Sequence, residues 1–369
     1  MVKRFRIAAL GVVPLLGALS MASHGQPVAT TTERVIATAP VPQVRPEGEP
    51  LRSPTGFPFK DKVRRAASGV ACISRNGTHR CLVVFDEGQK AHFAQLGAGT
   101  FDPLGEPVVL SESDGELDAE GATTDGEFHY VVGSHSVKRE SCQSNPASRV
   151  LIRFKASWPS AAGTPRPRVK GLEQTDRLWM LLKSDAYLGR HVDGCLGDGL
   201  GGRPEQESNR PGLNIEGLAA SGGRLYFGFR APSEAGVVPV YSVESGALFD
   251  GSDPKPRMAK LEVGAGLGIR DMVAARSAVL LLIGPDDHKA SAGAGWSVAE
   301  WSKRALTTAA SRPRVLAKLD LSNLHFPQCF EVLKPEAIAI LDESKVGYRI
   351  LVLSDGVCDG GALVFQVKK

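Results

Sequence analysis

The chain has 369 residues, 42% hydrophobic and 23% charged, with 44 Lys and Arg against 40 Asp and Glu. A chain of this kind buries a large core and need not be divided into two domains. It lacks the basic excess that a nucleic-acid partner needs, so no nucleic-acid binding is expected.

The chain opens with a positive stretch, MVKRFR, followed by the apolar run IAALGVVPLLGAL and by Ser20-Met21-Ala22. That order predicts a signal peptide over residues 1–22, cut near Ala22, and a periplasmic or secreted protein. The run contains Pro14 and is shorter than the ~20 residues of a membrane span; no later stretch is long enough either. Losing the leader removes Lys3, Arg4 and Arg6 and no acid, so the mature chain is almost neutral. Six cysteines remain, an even number in an exported chain, and disulfides are expected. Residues 23–60 are polar and punctuated by proline, which predicts an extended linker. Within it, residues 34–38 have β character and can supply a closing strand.

From residue 61 one plan recurs. Its clearest copy is LNIEGLAASGGRLYFGFRAP at residues 213–232. An acid opens a short apolar strand, a Gly-rich turn follows, and a second apolar strand ends in polar groups. Related copies begin at Ser68, Asp118, Gly268 and Lys334. Fixed-plan repeats of short strands predict an all-β chain, a β-propeller over residues 61–369. Five blades are expected, or six if the long interval between Glu120 and Glu216 hides one. The Gly- and Asp-rich loop over residues 187–211 favours an insertion there.

The strands are expected at 69–73, 81–85, 92–96 and 106–110, then at 120–123, 128–133, 149–154 and 177–183. A third set falls at 215–219, 224–229, 237–243 and 258–263, and a fourth at 271–274, 279–283, 297–301 and 314–319. The last set, 336–341, 348–353 and 362–367, has only three strands. An N-terminal segment is therefore expected to close the ring, since an unpaired edge is a liability.

The blade plan pairs the cysteines. Cys142 and Cys195 fall in loops on one face of the disc, as do Cys329 and Cys358, and Cys72 and Cys81 flank a hairpin turn. Zinc is disfavoured, because no close Cys-x-x-Cys or His pairing is present.

The motifs GSHS, NIEGLA with GFRAP, GIRDM with LIGP, and KPEAIAIL resemble a family of exported bacterial proteins catalogued only as a domain of unknown function. The resemblance runs from about Ser68 to Phe365. The chain is similar, more distantly, to the propellers that include esterase-like phytase domains, where Glu-Gly-Leu-Ala also opens inner strands. The resemblance implies a propeller and no named activity. Ala337 departs from it, standing where Gly follows the acid elsewhere.

In a propeller the start of each innermost strand lies at one channel mouth, beside the end of the next strand. That predicts Glu120, Glu216, Asp271 and Glu336 around one opening, with Asp86, Glu87, Ser134, His135, Arg230, Asp286, Asp287, Ser354 and Asp355 near them from the ends of the next strands, and with Arg270 also at the mouth. Converging carboxylates need a cation, arginine partners or raised pKa values. Three readings follow. In one the acids form structural salt bridges with Arg230 and Arg270. In another they hold a hard cation such as Ca²⁺. In the third, His135 or one of the four carboxylates is the catalytic base, and the two arginines clamp an anionic substrate. His129, inside an apolar strand, reads as a core residue. Gly-x-Ser-x-Gly, His-Glu-x-x-His, a Walker loop and a dinucleotide fingerprint are all absent. The function expected is a module that binds a small anionic ligand or a protein partner. The alternative is a secreted hydrolase of phosphoesters or other anionic esters, Ca²⁺-dependent in one form.

Overall fold

The computed structural model describes residues 40–369 apart from 114, 159–165, 198–210, 292, 304–309 and 327–328. The expected leader, its cleavage site and the β-rich residues 34–38 lie outside the described residues. One compact unit runs from Val41 to Lys369, so the propeller takes in part of the stretch expected to be a linker.

The first strand, β1 (Gln43–Val44), precedes the blades. Blade one holds β2 (Ala67–Arg75), β3 (Thr78–Phe85), β4 (Lys90–Leu96) and β5 (Phe101–Pro103), with β6 (Val108–Val109) also on β4. Blade two is β7 (Ala119–Thr124), β8 (His129–Gly133), β9 (Leu151–Ser157) and β10 (Arg168–Thr175). Blade three is β11 (Asn214–Ser221), β12 (Arg224–Ala231), β13 (Val237–Glu244) and β14 (Arg257–Glu262). Blade four has β15 (Leu267–Ala274), β16 (Ala278–Pro285) and β17 (Ser297–Ser302). A short β18 (Ala310–Ser311) then pairs back onto β14 before β19 (Arg314–Leu319) completes blade four. Blade five is β20 (Phe330–Glu343), β21 (Gly347–Val357) and β22 (Leu363–Lys368). These are the five blades expected from the repeats.

Each blade buries both faces against its neighbours, which is why strands such as β16, AVLLLIGP, are apolar without alternation and buried throughout. The cores lie between blades. Ile215, Leu218 and Phe227 of blade three pack with Tyr130, Val132 and Leu151 of blade two, for example. The ring closes where Val70, Val83 and Phe85 of blade one meet Ala339, Leu351 and Leu353 of blade five. The N-terminal segment fastens that closure. Its β1 pairs with β19, and then the Glu47 and Leu51 amides donate to Val364 O and Ala362 O along the open edge of β22, at 2.7 and 2.8 Å.

Two strand assignments differ from the expectation. Residues 177–183 form α2 (Arg177–Ser184) rather than a strand, following the short α1 (Asp61–Arg64). Leu178, Trp179 and Leu182 are buried at helical spacing, and the leucines and methionine of RLWMLLKS are good helix formers. The outer strand of blade two is β10 instead. In blade one, pairing with β4 begins at Phe101, ahead of the strand expected at 106–110. All three expected disulfides are present, Cys72–Cys81, Cys142–Cys195 and Cys329–Cys358.

Candidate functional site

The site is built from one repeated irregularity. In every inner strand the antiparallel register slips by one residue, and the residue left over is Ser68, Glu120, Glu216, Arg270 or Glu336. A β-bulge of this kind re-aims a side chain away from the alternating pattern. All five residues line one cavity of about 620 Å³ at the channel mouth. The ring is thus Ser, Glu, Glu, Arg, Glu in chain order.

That register corrects the expectation for Asp271. Arg270 is the equivalent of the glutamates, and Asp271 takes the place of Gly69, Gly121 and Gly217. At Gly69 a Cβ would lie 2.7 Å from Glu120 O and 2.8 Å from Ala122 N, on the neighbouring inner strand. In blade four the Asp271 carboxylate occupies the corresponding gap, accepting from Ile338 N at 2.8 Å and Met272 N at 2.7 Å. It is fully buried, does not line the cavity, and is pushed well above the usual carboxylate range by desolvation.

The half of the ring formed by blades three to five is paired. Glu216 accepts from Arg230 Nη1 at 2.9 Å and contacts Arg270 Nε at 2.9 Å. Arg270 also grips Glu336 through Nε at 2.8 Å and through Nη2, and donates to Pro285 O at 3.2 Å. Behind them Asp287 contacts Arg139 Nη2 at 2.7 Å and Arg230 Nε at 3.0 Å. Those guanidinium groups hold Asp287 down at about 2 despite its burial. Asn214 bridges Glu216 and Asp287 through Nδ2. The expected pairing of Arg230 and Arg270 with two of the ring acids is therefore present.

Blades one and two supply an opposite, acidic half. Asp86 and Glu87 follow β3, Glu116 and Asp118 lead into β7, and Glu120 lies within it. Glu120 accepts from Ser68 Oγ, and Asp118 from Ser134 Oγ. Burial pushes Asp86, Glu116, Asp118 and Glu120 up, and neighbouring carboxylates add to the shift in each. Two lysines of the wall are also paired: Lys62 contacts Glu87 at 2.6 Å, and Lys334 of blade five contacts Asp355 at 2.7 Å.

His135 does not line this cavity. Its Nδ1 lies 2.9 Å from Gly133 O, and its ring packs 6.2 Å from that of Trp179. Burial lowers it to about 4, so it is neutral, and it stands outside the cavity beside which it was expected. The four-carboxylate cation site is also not assembled. Two of its members hold arginines, Asp271 is elsewhere, and no three of the four bring oxygens within 4.8 Å of one another.

The pattern of a family described as "Protein of unknown function (DUF3616)" matches residues 98–156 and 161–360, most of the chain. The chain belongs to the DUF3616 family. Within this DUF3616 propeller the match spans the ring residues Glu120, Glu216, Arg270 and Glu336 but not Ser68. No curated protein matches the chain. Among solved structures it is similar to the α-L-arabinofuranosidase PaAbf62A from Podospora anserina. That match has 10% identity and a TM-score of 0.44, covering 89% of this chain and 97% of the other. The GH43 β-1,3-galactosidase BT3683 gives 8% identity, coverage of 88% and 94%, and a TM-score of 0.45. A GH43 endo-arabinanase from Bacillus licheniformis gives 9%, coverage of 86% and 96%, and 0.38. Identities and TM-scores this low carry nothing over to DUF3616 chemistry.

The sequence reading missed Lys62, Glu116, Asp118, Arg139 and Lys334. They sit in connecting segments outside the strand pair that defines the repeat. Ser68 was missed because its blade lacks the acid, although its place before Gly69 matches that of Glu before Gly in the other copies.

Proposed function

We propose that this propeller binds a small ligand through a cationic or multiply hydroxylated group, in the acidic half of its channel mouth. One observation carries the reading. The cavity wall has nine carboxylic acids against six basic side chains. Among the described residues, Asp86, Glu116, Asp118 and Glu120 make no ion pair with Lys or Arg, while Arg139, Arg230, Arg270, Lys62 and Lys334 each hold a carboxylate. Two buried acceptors of the wall, Asp86 Oδ1 and Asn214 Oδ1, have no donor among the described residues. Such a surface offers acceptors and negative charge to an incoming group.

An anionic ligand or ester, by contrast, needs free guanidinium edges, and Arg230 and Arg270 are both engaged with carboxylates. Three disulfides support a site outside the cytoplasm. Among the described residues no helix is long and apolar enough to cross a membrane.

Calorimetric titration tests the reading with ethylamine, glucose, Ca²⁺ and inorganic phosphate. Ethylamine is expected to bind with proton release, visible as a heat that depends on the buffer's ionisation enthalpy, because a cation pulls raised carboxyl pKa values down. Binding of phosphate alone, or turnover of phosphoesters or carboxyl esters, overturns it.

A further inference from the structure

A second cavity of about 510 Å³ shares a wall with the first. Glu87 and Glu116 face both, and the second cavity is floored by Phe59 and Val63 on either side of the start of α1. Phe59 is held edge-on to Phe85 at 5.2 Å, so that floor is a fixed part of the blade-one core edge. Burial, and after it the neighbouring Glu87 carboxylate, push the Glu116 carboxyl up where the cavities meet.

The junction already contains one ammonium. Lys62 Nζ lies 2.6 Å from Glu87, on a side chain that is 71% exposed. An ion pair that open contributes little, and its long side chain swings aside at small cost. The alkyl chain of Lys62 comes from the solvent side, while the apolar floor beside the same carboxylates is left open.

We propose that the ligand is an amphiphilic amine, with its ammonium between Glu87 and Glu116 in place of Lys62 Nζ and its alkyl or aryl part on Phe59 and Val63. This rests on the cation reading of the acidic half and adds the chemistry of the rest of the ligand. Neither cavity alone specifies it: the first supplies most of the charge, and the second supplies the Phe59 and Val63 surface and shares Glu87 and Glu116 with it.

The test titrates the full mature chain with ethylamine, hexylamine and hexanol. Hexylamine is expected to bind at least tenfold more tightly than ethylamine, since each buried methylene contributes about 0.8 kcal/mol, roughly fourfold. Hexanol is expected to bind at least tenfold more weakly than hexylamine. Val63→Ser should remove most of the preference for hexylamine over ethylamine. Lys62→Ala, at an exposed position with no core contact to lose, should tighten both amines by deleting the internal competitor. Equal affinity for the two amines overturns the inference and leaves the cation reading standing, whereas binding of neither amine removes both. Hexanol binding as tightly as hexylamine, or a preference for hexylamine that survives Val63→Ser, also overturns it.

Discussion

Arg270 joins two blades through the acids it holds. It grips Glu336 with two nitrogens and touches Glu216, and all three side chains are at least nine-tenths buried. Arg270→Met leaves both carboxylates without that cation and should cost about 3–5 kcal/mol in a denaturant melt. Lys334→Met removes a pair exposed at 45% and 27% and should cost less than about 1 kcal/mol. Glu216→Gln should lower the melting temperature equally with Ca²⁺ and with chelator, because the partners it deprives are Arg230 and Arg270; a loss confined to Ca²⁺ would reveal a metal ligand. Glu120 gives the pH dependence. Its folded pKa lies well above 4.5, so the folded state binds more protons than the unfolded one, and stability falls as pH rises through the folded value. Relative to wild type, Glu120→Gln should therefore gain stability from pH 5 to pH 8, as measured by paired melts across that range.

At the scale of elements, the bulge makes the ring. A regular inner strand would alternate its side chains between blade interfaces, whereas one extra residue per strand sends a polar group into the channel mouth. The disulfides act on the loops. Cys142–Cys195 closes 53 residues and ties down the loop that carries Arg139, while Cys72–Cys81 closes 9 within a hairpin. By loop-closure entropy, Cys142→Ser with Cys195→Ser should cost about 1.5 kcal/mol more than the same change at Cys72 and Cys81. Denaturant melts of the two double variants check this.

For the whole molecule, stability depends on closing the ring, since every core is shared by two blades. The Velcro-like edge is β22, covered by residues 46–51. A chain beginning at Ser53 leaves that edge unpaired, as well as the outer edge of β19. It should melt at lower temperature and aggregate on warming, followed by scanning fluorimetry with light scattering. An unchanged midpoint would mean that the closure is held by the interblade core alone.

The fold was legible because its determinants are local and repeated: strand pairs, Gly turns and an acid-Gly step recur, and each blade meets the same packing problem. The cysteine pairing was legible for the same reason, since loop position follows from strand order. Helix α2 was legible in principle too, because Leu178, Trp179 and Leu182 have helical spacing, but the repeat plan demanded a strand there. What only the tertiary structure decided is charge partnership. Arg270 rather than Asp271 enters the ring because the bulge shifts register by one residue, which no spacing rule reveals. His135 leaves the site because its ring packs against Trp179 of α2, a helix distant in sequence. Lys62, Glu116 and Asp118 reach the mouth from connecting segments outside the repeat. The sequence alone determines that the starts of the inner strands come to the channel mouth; the bulges and the closed ring determine which side chains enter it and which of them neutralise one another, because electrostatic pairing depends on distances of a few ångströms across blades.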